Sequence, residues 1–253
     1  MAGRDEIISF SDELLEVEAF DDYGPNGLQV PGRGDVSTVA TGVTANRDFL
    51  TRAVEAGADL AIVHHGLFFG DQARALSEQQ AERLRTVLGA DLSVAAYHLP
   101  LDAHREIGNN ALLCEALGLE PEPLAFGEVK GRPIGMVGRS PGGLEPAELF
   151  GRIASLLERD PLVFDAGPQL VHTVGIVTGG GSRAIEEAAA LGLDAFITGE
   201  PAEHAMGDAR EAGIHFIAAG HYATETFGVR RLGELLAERF GVQHEFIDVP
   251  NPV

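Results

Sequence analysis

Two segments of the sequence, residues 38–65 and 173–200, align with each other without a gap. The matched positions include Thr38 with Thr173, Gly57 with Gly192, Asp59 with Asp194, and Ile62 with Ile197. A second pair of segments, residues 94–98 and 217–221, follows in the same order. Such self-similarity indicates an internal duplication of one supersecondary unit. The alternative is chance matching between segments rich in alanine and glycine.

Each copy has the pattern of a strand, a helix and a second strand. In the first copy, residues 38–43 and 58–63 are apolar runs typical of strands, with a helical pattern between them. A segment rich in proline, glycine and charge, residues 120–132, separates the copies. We therefore predict an α/β protein of two similar α/β domains, residues 1–125 and 126–253, and we expect the C-terminal helix to pack back on the first domain.

Histidines stand where several of the apolar runs end. One run ends in His64 and His65, and Gly66 then allows the backbone to turn so that neighbouring side chains can serve one site. The other predicted strand ends carry His98 with Asp102, Glu200 with His204, and His221 with Glu225. Ligands of α/β proteins gather at the carboxyl ends of strands and in clefts between domains. We therefore expect one metal site at the interface of the two domains.

The residue types at these strand ends limit the metals that can bind. Imidazole and carboxylate ligands suit zinc, manganese, iron and nickel. A thiolate site is excluded, because Cys114 is the single cysteine and lies in an apolar helical pattern. Two divalent ions would keep a net positive charge beside the carboxylates of Asp102 and Glu225, which would attract an anionic substrate and support hydrolysis.

Spacing alone does not select the ligands among these histidines and carboxylates. His98 and His104 are weaker candidates than the adjacent pair, and Glu200 and His204 either orient the ligands or are polar strand ends. The remaining histidines lack such a context and are expected to be structural or on the surface; they are His172, His215 and His244.

The net charge of −21, from 18 basic and 39 acidic residues, argues against a broad nucleic-acid interface. Such acidity suits a high-salt cytoplasm, but a GC-rich genome that favours arginine codons would also explain the scarcity of lysine. No apolar run approaches the roughly 18 residues of a spanning helix. We expect a cytoplasmic protein with no membrane partner.

Residues 21–32 contain several turn-forming residues and one short apolar stretch. Turn composition alone predicts a surface loop that leads into a strand.

Several motifs in this chain are similar to those of a known family. In chain order they are Gly27–Val30, His64–Gly66 with Phe68 and Phe69, His98–Asp102 with Asn109 and Asn110, Thr198–Glu200, and Gly220–Glu225 with Gly228 and Val229. Together they resemble the Nif-three-like dinuclear metal-centre family, whose members are also called GTP cyclohydrolase I type 2 homologues. The resemblance covers nearly the whole chain.

The resemblance implies a Nif-three-like fold with two divalent metal ions per chain, zinc, iron or manganese, and a ring-shaped homo-hexamer. Carried over position by position, the metal ligands are His64, His65, Asp102, His221 and the bridging Glu225. His98 is a further candidate, for moving protons.

These expectations describe a metal-dependent hydrolase that acts on a small phosphorylated or nucleotide-like substrate. The alternative is a non-catalytic metal-binding scaffold or metallochaperone-like interaction protein. The sequence has no Gly-x-x-x-x-Gly-Lys-Ser/Thr loop, and Lys130 is its single lysine, so it does not indicate a triphosphate pocket. The ligand types accept several metals and name neither the metal nor the substrate.

Overall fold

The computed structural model describes residues 1–70 and 75–253. The chain forms two compact units. Unit 1 contains Met1–Leu101 and Gly228–Val249, and unit 2 contains Asp102–Phe227 and Pro250–Val253. The sequence analysis places the domain boundary between residues 125 and 126 instead. That division into domains stays a prediction.

The first part of the chain builds most of unit 1. Its elements are β1 (Ala2–Gly3), α1 (Arg4–Leu14), β2 (Gly27–Val30), β3 (Asp35–Val36), β4 (Thr38–Thr44), α2 (Arg47–Glu55), β5 (Leu60–His65), α3 (Glu78–Gly89), β6 (Ser93–Ala96) and α4 (Leu99–Ala103), which begins in unit 1 and continues into unit 2. Side chains define two of the helix starts: Asn46 accepts a hydrogen bond from the Phe49 amide, and Ser77 accepts one from the Gln80 amide. The predicted β-α-β unit is therefore present as β4, α2 and β5.

The chain then builds unit 2 and returns to unit 1. Unit 2 contains α5 (Asn109–Ala116), β7 (Glu120–Glu122), β8 (Glu128–Val129), β9 (Arg132–Pro133), β10 (Met136–Leu144), α6 (Pro146–Leu157), β11 (Leu162–Phe164), β12 (Val171–Val177), α7 (Ile185–Ala190), β13 (Ala195–Thr198), α8 (Ala205–Ala212), β14 (His215–Ala218) and α9 (His221–Thr224). The helix α10 (Thr226–Phe240) begins in unit 2 and continues into unit 1, which ends with β15 (Gln243–Phe246).

Each unit contains one main sheet in which three strands that follow one another along the chain, β4–β6 or β12–β14, run parallel, and in unit 1 the strand β15 runs parallel to them. In unit 1 the strand order is β15-β4-β5-β6-β2, and only β2 runs antiparallel to its neighbour. In unit 2 the order is β11-β14-β13-β12-β10-β7, where β12, β13 and β14 are parallel. The carboxyl ends of three parallel strands therefore meet at one edge of each sheet, which is where the candidate site residues follow.

The aligned aspartates make the same hydrogen bonds in the two units. Asp59 Oδ2 accepts from the backbone amides of Ser37 and Thr38 at 2.8 and 3.2 Å. Asp194 Oδ2 accepts from the corresponding amides, those of His172 and Thr173, at 2.8 and 2.9 Å. The aligned glycines, Gly57 and Gly192, also share a left-handed backbone, with φ of +72° and +68°. The local geometry of the aligned segments is thus alike.

Apolar side chains on both faces of the central strands form a separate core in each unit. In unit 1, Phe49 and Leu50 of α2 are at most 1 % exposed and pack with Val63 and Val94 of the sheet. In unit 2, Leu149 and Ile153 of α6 are fully buried against strands β12 and β13. Burial of each such side chain contributes about 1.5–3 kcal/mol, so packing holds the strand ends in place.

One local expectation needs correction. Residues 21–32 are not a plain surface loop, since Gly27–Val30 pairs with β6 and the Asp22 side chain is 2 % exposed. Near the C-terminus, α9 ends at Thr224, and Glu225 lies between it and α10. Among the described residues, no helix combines the length and apolarity needed to cross a membrane.

Candidate functional site

Unit 1 brings three histidines together at the carboxyl ends of β5 and β6. The rings of His64 and His65 lie 4.8 Å apart between centroids, and the His98 ring lies 4.9 and 5.5 Å from them. One ring nitrogen of each histidine lies within 4.8 Å of one ring nitrogen of each of the others, so the three could hold a metal ion. His64 is fully buried, and His98 is 14 % exposed at its side chain.

The Nδ1 atom of each ring has a partner within unit 1. His64 Nδ1 lies 2.9 Å from the carbonyl oxygen of Tyr97, and His65 Nδ1 lies 3.2 Å from the hydroxyl of Thr44. His98 Nδ1 lies 2.6 Å from the carboxylate of Asp22. A partner on Nδ1 fixes the ring orientation and directs Nε2 to a ligand, as is usual for metal-binding histidines. The three imidazoles therefore fit a divalent metal.

Asp22 connects the early glycine- and proline-rich segment to the histidines. Its Oδ2 accepts hydrogen bonds from the side-chain amide of Asn26 at 2.8 Å and from the backbone amide of Leu99 at 2.9 Å. Asn26 in turn accepts from the backbone amide of His98 at 2.8 Å. Burial alone would raise the pKa of Asp22, but the hydrogen bond and charge of His98, with the other donors, hold this pKa below its ordinary value.

Gln29 fixes the turn that follows the adjacent histidines. Its Oε1 accepts from the backbone amides of Leu67 and Phe68 at 2.8 and 3.3 Å, and its Nε2 donates to the carbonyl of Pro25 at 2.8 Å. A Cβ added at Gly66 would lie 2.4 Å from the side-chain amide of Gln29, so a larger residue there would displace Gln29 from these hydrogen bonds. The sequence reasoning did not single out Asp22 and Asn26, and it included Gln29 only as part of the Gly27–Val30 motif.

In unit 2, Asp102 lies at the start of a polar network behind the strands. Its Oδ1 accepts from the Asn109 side chain at 2.8 Å and from the Thr178 hydroxyl at 3.4 Å. Asn110 accepts from the backbone amide of Thr178 at 2.8 Å and donates to the backbone carbonyl of Asp102 at 3.1 Å. Asp102 is 4 % exposed, so these donors hold a buried carboxyl group in one orientation.

His221 stands between two carboxylates of unit 2. Its Nδ1 lies 2.5 Å from Glu200, and its Nε2 lies 3.1 Å from Glu225. Burial would lower the pKa of His221, but the hydrogen bonds and charges of Glu225 and Glu200 outweigh it and raise this pKa to about 9. An imidazole and a carboxylate side by side are ligands that divalent metals accept.

Tight backbone approaches hold this cluster. Gly199 lies against His221, where an added Cβ would be 2.6 Å from the His221 Cα. Gly179 has a left-handed φ of +66°, and its carbonyl accepts from the amides of Gly199 and Glu200 at 2.9 and 3.0 Å. These glycines allow the ends of β12 and β13 to reach the start of α9.

The other candidate histidines have partners away from these clusters. His204 pairs with Asp208 at 2.6 Å on an exposed surface, and His104 accepts backbone amides of the following turn. His215 is buried and lies 2.8 Å from the carbonyl of Pro168, and His244 lies 2.8 Å from the hydroxyl of Thr41. These contacts are structural, which is the role expected for His215 and His244.

Each unit therefore contains a cluster of predicted site residues. Unit 1 groups His64, His65 and His98, and unit 2 groups His221 with Glu225. The assignment of His64, His65, Asp102, His221 and Glu225 as one ligand set, and its place at a domain interface, stay predictions.

Comparison with known proteins identifies the family. The family model described as Duf34/NIF3 (NGG1p interacting factor 3) matches residues 2–252. This chain belongs to the Duf34/NIF3 family. A family relative from Pseudomonas aeruginosa, named GTP cyclohydrolase 1 type 2 homolog, is 44 % identical over 247 residues and is covered to 97 %, as is this chain. A relative of the same name from Escherichia coli strain K12 is 44 % identical over 252 residues, with 98 % of both chains covered.

Solved structures of Duf34/NIF3 relatives have the same fold. The protein titled ybgI, of unknown function, superposes with a TM-score of 0.94 at 42 % identity over 100 % of both chains. TTHA1606 from Thermus thermophilus gives a TM-score of 0.89 at 36 % identity, again over 100 % of both chains. Reduced HcgD from Methanocaldococcus jannaschii, at 23 % identity and a TM-score of 0.85, shows the shared fold alone. The resemblance seen in the sequence motifs is thereby confirmed.

Proposed function

We propose that this Duf34/NIF3 protein binds two divalent metal ions and is a metal-dependent hydrolase of a small phosphorylated or nucleotide-like molecule. The observation that carries the proposal is the convergence of His64, His65 and His98, each with a partner on Nδ1. Structural histidines have no need to gather three ring nitrogens in one place, whereas a metal site with two imidazole ligands and a neighbouring proton-transfer group does.

The proposed ligands are His64 and His65 of unit 1 and Asp102, His221 and Glu225 of unit 2. Zinc, iron and manganese all suit this set of imidazoles and carboxylates. Bound divalent ions lower the pKa of water and polarise the oxygens of a phosphoryl group. Their positive charge would also attract an anionic substrate, which the rest of a chain with a net charge of −21 would repel.

The residues of the chain supply binding and proton transfer. His98 is proposed to move protons, because its Nδ1 faces Asp22 and its ring lies beside His64 and His65. A His98→Gln variant should lose hydrolysis while retaining its metals; unchanged turnover would remove His98 from the mechanism.

We further propose that the two units arose by internal duplication, supported by the matching hydrogen bonds of Asp59 and Asp194. A homo-hexamer is proposed from the family likeness. Sedimentation equilibrium of the purified protein tests the hexamer, and a mass of one or two chains would contradict it.

The first experiment measures metal per chain in protein purified without chelators or a histidine tag. We expect about two equivalents in the wild type and a sharp fall in Glu225→Ala. Glu211→Ala is the control, since Glu211 is an exposed glutamate on α8 of the same unit. Near-zero metal in the wild type after incubation with manganese, iron and zinc would contradict the metal sites and the hydrolase together.

A second experiment separates the hydrolase from the alternative of a non-catalytic metal-binding scaffold. A panel of phosphoesters and nucleotides, GTP included, is incubated with protein of graded metal occupancy. Consumption that follows occupancy supports the hydrolase. Two bound metals with no substrate consumed favour the scaffold.

A further inference from the structure

Asp22 is a buried carboxylate on which several hydrogen-bond donors converge. Its Oδ1 lies 2.6 Å from the backbone nitrogen of Tyr23 and 2.6 Å from Nδ1 of His98. Its Oδ2 lies 2.8 Å from the side-chain nitrogen of Asn26 and 2.9 Å from the backbone nitrogen of Leu99. Both oxygens are therefore acceptors, and nothing in this arrangement accommodates a donor at either position.

This arrangement determines the tautomer of His98. An ionised carboxylate only accepts hydrogen bonds, so Nδ1 of His98 must be the N–H donor. In the neutral ring, the lone pair is then on Nε2. The backbone amide of His98 also donates to Asn26 at 2.8 Å, which fixes the main chain beside the ring. Ring orientation and tautomer are thus set by the same short segment.

The three clustered histidines differ in what holds them. His64 Nδ1 meets a backbone carbonyl and His65 Nδ1 meets a hydroxyl, both of them neutral groups. His98 is held by a carboxylate that is 2 % exposed. A neutral partner orients a ring, whereas a carboxylate also stabilises the imidazolium that forms when Nε2 takes a proton. At Nδ1, His98 therefore differs from its two neighbours in the charge of its partner.

We propose that Asp22 is the positioning residue for His98, which it holds as the Nδ1–H tautomer so that Nε2 accepts a proton at the site of His64 and His65. This inference rests on the proposed hydrolase function. Nε2 takes a proton from the attacking water as the water oxygen bonds to phosphorus. The bond between phosphorus and the leaving oxygen breaks on the opposite side, that oxygen takes its proton from solvent, and Nε2 then releases its proton to solvent. The ring ends in its starting state, and no oxidant or further reactant is needed.

The test is a long-range ¹H–¹⁵N NMR spectrum of the full chain labelled with ¹⁵N-histidine, in which each tautomer has its own pattern. The His98 signals are assigned by their absence in His98→Gln. We expect the Nδ1–H pattern in the wild type. In Asp22→Asn the amide oxygen should face Asn26 and Leu99, so the NH₂ group turns to the ring and His98 changes to the Nε2–H pattern.

Two further variants serve as controls. Asp22→Glu keeps a carboxylate and should restore the Nδ1–H pattern, which shows that charge and not side-chain removal sets the tautomer. Asp208→Asn removes a carboxylate from another histidine, His204, at the same 2.6 Å distance on an exposed surface. It should leave the His98 signals and the metal content unchanged.

Kinetics on a substrate from the panel complete the test. We expect Asp22→Asn to lower kcat by about 10²–10⁴-fold with KM and metal content little changed. The double variant with His98→Gln should be no slower than His98→Gln alone, since the two residues act as one unit.

Three results would overturn the proposal: an Nδ1–H pattern that persists in Asp22→Asn, unchanged kcat after the tautomer has changed, or additive losses in the double variant. Loss of metal in Asp22→Asn would also overturn it, because Asp22 would then support a ligand. The tautomer is read without metal or substrate. The metal content of the wild type is a separate measurement. A wild type that binds no metal therefore contradicts the proposed function and leaves the result on the tautomer unaffected.

Discussion

Each unit has a histidine shortly after a parallel strand, His98 after β6 and His221 after β14. The Nδ1 atom of each ring lies beside a carboxylate. In unit 1, His98 lies 2.6 Å from Asp22, whose side chain is 2 % exposed. In unit 2, His221 lies 2.5 Å from Glu200, whose side chain is 41 % exposed. Similar strand ends thus carry similar pairs, but one carboxylate is enclosed by donors and the other is open to solvent.

The second nitrogen of each ring makes the larger difference. His221 has a carboxylate on both sides, because Glu225 lies 3.1 Å from Nε2, and its pKa rises to about 9. His98 has its carboxylate on Nδ1, and its ring lies 4.9 and 5.5 Å from the rings of His64 and His65. Under the proposed function, the number and placement of carboxylates would distinguish a metal ligand, His221, from a proton-transfer group, His98.

The largest expected effect is on zinc affinity, and it tests which carboxylates bind a metal or orient a ligand. Glu225→Ala should weaken zinc binding by more than about 100-fold, because a proposed ligand is lost, and Glu200→Gln by about 10–100-fold, because a ligand loses its orienting partner. Asp22→Asn should change zinc affinity less than either. Competition with a chromophoric chelator measures all three. Equal losses for Asp22→Asn and Glu200→Gln would mean that the two pairs have the same role.

The next effect tests whether the two units are built alike. Asp59→Ala and Asp194→Ala should each lower the free energy of unfolding by about 2 kcal/mol, because each leaves backbone amides without a charged acceptor. Urea denaturation followed by circular dichroism measures this, with Glu211→Ala as the exposed control. A loss at one aspartate only would break the equivalence of the two units.

The protonation of His221 gives a smaller effect that depends on pH. Because its pKa is raised from 6.5 to about 9, the folded metal-free protein holds a proton that the unfolded chain releases. This contribution to stability is fully present below pH 6.5 and is lost as the pH rises through about 9. Melting temperatures of metal-free wild type and His221→Gln between about pH 6 and 10 should converge at the alkaline end. Parallel curves would refute the two-carboxylate account of His221.

The smallest effect concerns a residue outside both pairs. Burial and the nearby charge of Glu115 raise the pKa of Cys114 to about 11. The thiol should therefore react slowly with iodoacetamide in the folded protein at about pH 7.5. Mass spectrometry measures the rate of this alkylation. Cys114→Ala should leave the metal content unchanged. A fall in metal content would reveal a thiolate role that neither cluster accounts for.

Much of the fold follows from local patterns. The apolar runs and the glycines after them predict β4, α2 and β5, and the observed elements begin and end within about two residues of the predicted ranges. The family is also evident from its motifs, as the match over residues 2–252 confirms. The role of residues 21–32 is not evident from the sequence, because turn composition predicts only the backbone conformation. It does not indicate that a side chain of this segment contacts a histidine.

The α/β class, the strand ends that carry histidine, and the imidazole and carboxylate groups proposed as ligands are all evident from the amino-acid sequence. These depend on residue type and on periodicity along the chain. Only the tertiary structure decided that Asp22 holds His98 and that Glu200 and Glu225 flank His221. A tautomer and a pKa depend on the atoms packed around a ring, and folding brings those atoms from distant parts of the chain.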